Sequence, residues 1–161
     1  MTRLLVLLRH AKAEEPYNGQ PDKQRPLTAR GLADATAAGA WLASQDLVPE
    51  LVLCSAARRT KQTWEQASAA LPGAGEVRHL DELYGAGPLE LLELVRAADP
   101  RIGTLLVVGH NPTMELMAAL LDPERGGRMK TAQLSVHSQA GTWDGLAARS
   151  APQVASHVAR G

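Results

Sequence analysis

Leu4-Leu5-Val6-Leu7-Leu8 is an unbroken aliphatic run that stops at Arg9-His10. A run this short reads as a strand over 3–9, buried on both faces as in a parallel sheet. Leu105-Leu106-Val107-Val108-Gly109 repeats the pattern and runs into His110-Asn111-Pro112. Between these runs, strand and helix patterns alternate. Residues 13–26 hold Pro16, Gly19, Pro21 and Pro26 among polar groups, which predicts a loop beside the first strand's end. A helix follows over about 28–44, with Leu32, Ala35, Gly39 and Leu42 on one face. Leu51-Val52-Leu53-Cys54 predicts a strand, and Ser55 an N-cap for a helix from Ala56 to about Leu71, where Pro72-Gly73 stops it. Residues 76–80 predict a strand and 81–87 a loop. Pro88 opens a helix with Leu89, Leu92 and Val95 inward, ending near Asp99-Pro100. Pro112 begins another helix, to about Leu121, and a polar loop covers 124–127. Ala132 to His137 alternates and suits an edge strand. The tail from Gly141 has no clear pattern, with Trp143 expected to be packed.

This alternation predicts a three-layer α/β/α sandwich with a mainly parallel sheet. The 161 residues fit one domain over 1–161. Lys plus Arg and Asp plus Glu are equal at 17 each, so the overall charge favours neither nucleic acid nor an anionic membrane as partner. The one cysteine, Cys54, allows no internal disulfide and reads as a small buried hydrophobe. No apolar stretch is long enough to span a bilayer, and the start of the chain does not read as a signal peptide. The expectation is a cytoplasmic protein, for which a monomer is adequate.

In a parallel sheet the strand ends share one rim, where ligands bind. That rim would carry Arg9 and His10, then Ser55 with Arg58 and Arg59, then Glu82, then His110. Arginines suit phosphate because the planar guanidinium meets two oxygens at once. The start of the helix after Ser55 adds free N–H groups and its dipole. Neighbouring cations disfavour imidazolium, so a histidine here keeps a neutral nitrogen able to attack phosphorus. The arginines would stabilise the transferring group without metal and would repel a dication, so no metal or other cofactor is expected.

The segments LLRHAK, RPLTARG, CSAARRTKQT, LDELYGAG and VVGHNP, in that order, resemble the histidine phosphatase superfamily, the phosphoglycerate-mutase-like fold. Within it the chain is most similar to the short SixA-type phosphohistidine phosphatases, and MKTAQLSV at 129–136 fits the usual last strand. The resemblance implies His10 as the nucleophile, Arg9 and Arg59 as phosphate ligands, and His110 as the second phosphate-binding histidine. Arg58 is then a neighbour of the ligand. Glu82 occupies the position where many members keep a proton donor; its other reading is a loop carboxylate pairing with Arg78 or Lys12. Ala11 stands where many relatives have glycine, a variant found in short SixA-like sequences. His79, His137 and His157 lack a motif and read as structural or exposed, and Asp34 and Glu115 have no assigned role.

The connections leave little chain for a cap insertion, so the groove should be open. An open groove suits a phosphoryl group displayed on a protein, such as a phosphorelay or phosphotransfer protein. The leading expectation is therefore a metal-independent phosphohydrolase acting on protein phosphohistidine. A small-metabolite phosphomonoester phosphatase is the alternative within the fold. A phosphate-binding module without turnover is the alternative outside enzymology.

Overall fold

A computed structural model describes all residues 1–161. Its elements in chain order are β1 (Arg3–Arg9), α1 (Ala29–Ser44), β2 (Leu51–Ser55), α2 (Arg58–Ser68), β3 (Glu76–Leu80), α3 (Pro88–Arg96), β4 (Thr104–Gly109), α4 (Thr113–Leu121), β5 (Gln133–Gln139) and β6 (Gln153–Val158). They form one six-stranded sheet in the order β3-β2-β4-β1-β5-β6. The four strands from β3 to β1 are parallel, whereas β5 runs antiparallel to β1, and β6 to β5.

The two aliphatic runs lie side by side at the centre, and Leu5 to Leu8 and Leu105 to Val108 are inaccessible to solvent on both faces. Side-chain alternation splits them between two cores. Val6, Leu8, Leu106 and Val108 face α1 and α2, against Ala35, Ala38, Leu42 and Trp64. Leu5, Leu7, Leu105 and Val107 face α3 and α4, against Leu91, Val95, Met114 and Met117. The three-layer architecture expected from the alternation is the one observed. Trp143 is fully buried in the second core, and its indole N–H donates to the Ile102 carbonyl at 2.8 Å.

Helix α1 is capped by Thr28, whose hydroxyl accepts from the Gly31 N–H at 2.9 Å. Small residues let α1 and α2 approach closely. A Cβ at Gly39 would stand 2.0 Å from the Ala67 carbonyl oxygen.

Three expectations are corrected. Helix α2 begins at Arg58 behind Ala57 and not at Ala56, because Ser55 stays in β2 and gives its hydroxyl to the site. In α3 the buried face is Leu91 and Val95, four residues apart, which leaves Leu89 exposed. Strand β5 is interior rather than an edge. The strand that covers it, β6, had no signal because QVASHV lacks large apolar residues on its one covered face. No helix is long and apolar enough to cross a membrane.

Candidate active site

The β1–β4 register pairs Arg9 with Gly109, so the next residues, His10 and His110, leave the sheet side by side. The His10 N–H donates to the Gly109 carbonyl at 3.1 Å and ties the two strand ends together. The imidazole rings stand 5.4 Å apart, tilted by 57°.

His10 is buried, and its Nδ1 lies 2.7 Å from the Ala11 carbonyl oxygen. A carbonyl only accepts, so Nδ1 carries the proton and Nε2 holds a lone pair. The Ala11 N–H in turn donates to Thr63 Oγ1 at 3.1 Å, which anchors the segment to α2. Burial pushes the His10 pKa down to about 3, against the opposing Ala11 bond and with help from His110, Arg59 and Arg9.

His110 is oriented from the other side. Its Nε2 lies 2.7 Å from Ser55 Oγ, which also accepts the Ala57 N–H at 3.3 Å. The Ser55 hydroxyl can donate to Nε2 while it accepts that N–H, an arrangement that puts the His110 proton on Nδ1. Burial, then Arg59, lowers the His110 pKa to about 4.

Arg59 projects from the first turn of α2 and is buried. Its Nη1 donates to the Asp22 carbonyl at 2.9 Å and its Nη2 to Asp22 Oδ2 at 3.0 Å. Asp22 Oδ1 accepts Arg25 Nε at 2.8 Å, and the Tyr84 hydroxyl donates to Oδ2. The Tyr84 bond first, then Arg25 and Arg59, hold the Asp22 carboxyl far below the usual carboxylate range against its partial burial. Arg9 Nη1 donates to the Met129 carbonyl at 3.0 Å.

These partners leave Arg9 Nε, Arg59 Nε and His110 Nδ1 buried with no hydrogen bond. Buried N–H groups are rarely left so. Arg9, His10, Lys12, Arg25, Arg59 and His110 line one cavity of about 320 Å³. A cavity with this much positive charge and unspent donors suits a tetrahedral oxyanion. No group of three or more His, Cys, Asp or Glu side chains is placed to hold a metal ion.

Arg9, His10, Arg59 and His110, expected from the sequence, come together here, while Arg58 points to solvent. Glu82 does not join them. It is exposed on the turn after β3 and lines a separate surface groove with Leu89, Glu90 and Glu93. Cys54 is buried, and its thiol is pushed up to about 12 by that burial. Sequence reasoning gave no role to Asp22, Arg25 or Tyr84. The RPLT and ELYG segments that hold two of them were visible, but their use depends on the 13–26 loop folding back over α2.

The family model of the histidine phosphatase superfamily, branch 1, matches residues 5–87. An uncharacterised protein of Mycobacterium tuberculosis is 34% identical over 163 residues, covering 95% of this chain and 100% of that protein. Among solved structures, a protein of Nakamurella multipartitia, provisionally assigned as the phosphohistidine phosphatase SixA, superposes with a TM-score of 0.85 at 37% identity, covering 99% of this chain and 97% of that one. One from Agrobacterium tumefaciens with the same provisional assignment gives 0.82 at 28% identity, covering 96% and 97%.

Proposed function

The chain belongs to the histidine phosphatase superfamily and is a phosphatase, and from that premise we propose that it removes phosphate from protein phosphohistidine through a covalent intermediate on His10. The observation that carries this reading is the pairing of a neutral His10, proton on Nδ1 and lone pair on Nε2, with three unspent N–H donors around it.

In the first step Nε2 attacks phosphorus, and the bond from phosphorus to the substrate's ring nitrogen breaks. The electron pair goes to the departing imidazole. Arg9, Arg59 and His110 donate to the phosphoryl oxygens, with Arg25 and Lys12 adding charge at the mouth. In the second step water attacks phosphorus, the bond to Nε2 breaks, and inorganic phosphate leaves with the water's oxygen. Guanidinium groups hold the charge throughout, so the reaction needs no metal.

A phosphohistidine whose other ring nitrogen is protonated departs as neutral imidazole. The breaking bond then needs no separate acid, which accords with a Glu82 carboxylate lying outside the cavity. A phosphorelay or phosphotransfer protein is the substrate class this favours, with the enzyme acting as a cytoplasmic monomer.

The test is phosphate release from a phosphohistidine-bearing protein in excess chelator, wild type against His10→Ala. Release by the wild type and none by the variant is expected, with radiolabel trapped on His10 after a rapid quench. Robust cleavage of small phosphomonoesters with no release from phosphohistidine would overturn the substrate class in favour of a metabolite phosphatase. Vanadate binding without turnover of any substrate would leave a phosphate-binding module.

A further inference from the structure

A second cavity, of about 300 Å³, opens beside the catalytic one and shares His110 and Asn111 with it. Its character is the opposite. No Asp, Glu, Lys or Arg lines it, and its floor is the buried core side chains Leu91, Val107 and Met114. The roof is the turn Tyr84-Gly85-Ala86-Gly87, fixed to α4 by the Thr113 hydroxyl donating to the Ala86 carbonyl. Tyr84 meets the His110 ring edge-on at 5.6 Å between centroids.

Asn111 stands where the two cavities meet. Its Nδ2 donates to the Met129 carbonyl at 2.8 Å and to Glu115 Oε2 at 3.2 Å, which fixes the amide orientation. Oδ1 is then a buried acceptor with no partner. A fully ionised phosphoryl group carries only acceptors and does not satisfy it. A backbone N–H can.

We propose that this cavity and Asn111 Oδ1 form a subsite for the polypeptide carrying the phosphohistidine, taking an apolar side chain next to it and one of its backbone N–H groups. The inference rests on the proposed P–N hydrolysis and adds the sequence context. A carboxylate or ammonium group in this cavity would lose its water without gaining an ionic partner, whereas an aliphatic or single-ring side chain gains burial. The volume admits such a side chain with room to spare. Specificity then comes from an uncharged pocket beside a cationic one.

The test uses phosphohistidine peptides with Leu, Gly or Asp at each flanking position. Phosphoramidate, which has no flanking residue, is the reference for each enzyme. In the wild type a Leu peptide should exceed its Asp counterpart in kcat/KM by about tenfold, roughly the value of one buried side chain. Ala86→Leu fills the cavity from its buried roof. Gly85→Leu adds a side chain at an exposed position on the cavity's rim, where an added Cβ meets nothing within 4 Å. Both should bring the Leu-to-Asp ratio close to one. No flank preference in the wild type, or a preference retained in both variants, overturns the subsite while leaving P–N hydrolysis standing. Failure of the wild type to cleave either phosphoramidate or any peptide overturns the hydrolysis itself, and the subsite with it.

Discussion

Asp22 grips Arg59 twice, through its carbonyl oxygen 2.9 Å from Nη1 and its carboxylate 3.0 Å from Nη2. Each terminal nitrogen of the arginine thereby gives one N–H to Asp22, and the buried Nε keeps its own for an oxyanion. The same carboxylate holds Arg25, which lines the catalytic cavity, and is held by Tyr84. Lys23 and Asp81 add an ion pair at 2.8 Å between the same two loops. A loop that reads as irregular thus aims two cations.

Asp22→Ala should lower kcat/KM about tenfold, the order expected for losing one charge-assisted bond to a positioned group. Asp22→Asn, which keeps a side-chain acceptor where Asp22→Ala keeps only the backbone carbonyl, should lose less. Steady-state rates on a phosphohistidine peptide check this, with thermal midpoints as control. A loss of stability matching the loss of rate would make the residue structural instead.

Ser55→Ala removes the partner of His110 Nε2 and frees the ring to change tautomer. A fall in kcat of about tenfold is expected, since one charge-stabilising donor is no longer held in place. Nitrogen NMR of the His110 ring should show Nδ1 protonated in the wild type and a tautomer mixture in the variant. An unchanged tautomer with unchanged kcat would refute the role.

Arg58 and Arg59 are adjacent in sequence, yet Arg58 is exposed and Arg59 buried. Arg59→Ala should cost at least about a hundredfold in kcat/KM, by analogy with loss of a transition-state donor, and Arg58→Ala less than about twofold. Equal effects would mean that both touch the phosphoryl group.

The sequence showed the sheet's centre and its two histidines because aliphatic runs and their abrupt polar ends are local signals. Leu5 to Leu8 and Leu105 to Val108 need no partner to be read as buried strands. The placement of Arg9, His10 and His110 then follows from parallel pairing. Asp22 and Tyr84 were not legible, since each acts on a residue more than thirty positions away through a loop without periodicity. The unpartnered Asn111 Oδ1 was hidden for the same reason. Its neighbour Nδ2 is claimed by Glu115 and Met129, and only the folded chain brings Met129 there. Strand β6 was missed because an edge strand with one covered face needs little hydrophobicity.

Close packing makes a stability prediction. Gly39→Ala drives a Cβ into the Ala67 carbonyl at the α1–α2 contact. Overpacking against backbone should destabilise by about 3 kcal/mol, despite alanine's better helix propensity. Urea unfolding checks the value, and a stabilised variant would show that the helices can separate freely.

The depressed histidine pKa values set the acid limit of the enzyme. Neutral rings are the working forms, and they hold until pH approaches about 4 for His110 and about 3 for His10. An ordinary imidazole, with a pKa of about 6.5, would be almost wholly protonated at pH 5. Activity on a phosphomonoester, corrected for the substrate's own ionisation, should therefore persist at pH 5 and fall only near pH 4. Stability behaves differently. The unfolded chain regains ordinary imidazoles and binds protons from about pH 6.5 downward, while the folded site does not until about pH 4. The stability contributed by these neutral rings is fully present above about pH 6.5 and is lost as pH falls through that window. A His10→Gln protein should show a flatter decline of the urea midpoint from pH 6.5 to 4 than the wild type. Parallel declines would mean that His10 titrates alike in both states, and an activity loss centred near pH 6.5 would show that the site does not hold its nucleophile neutral.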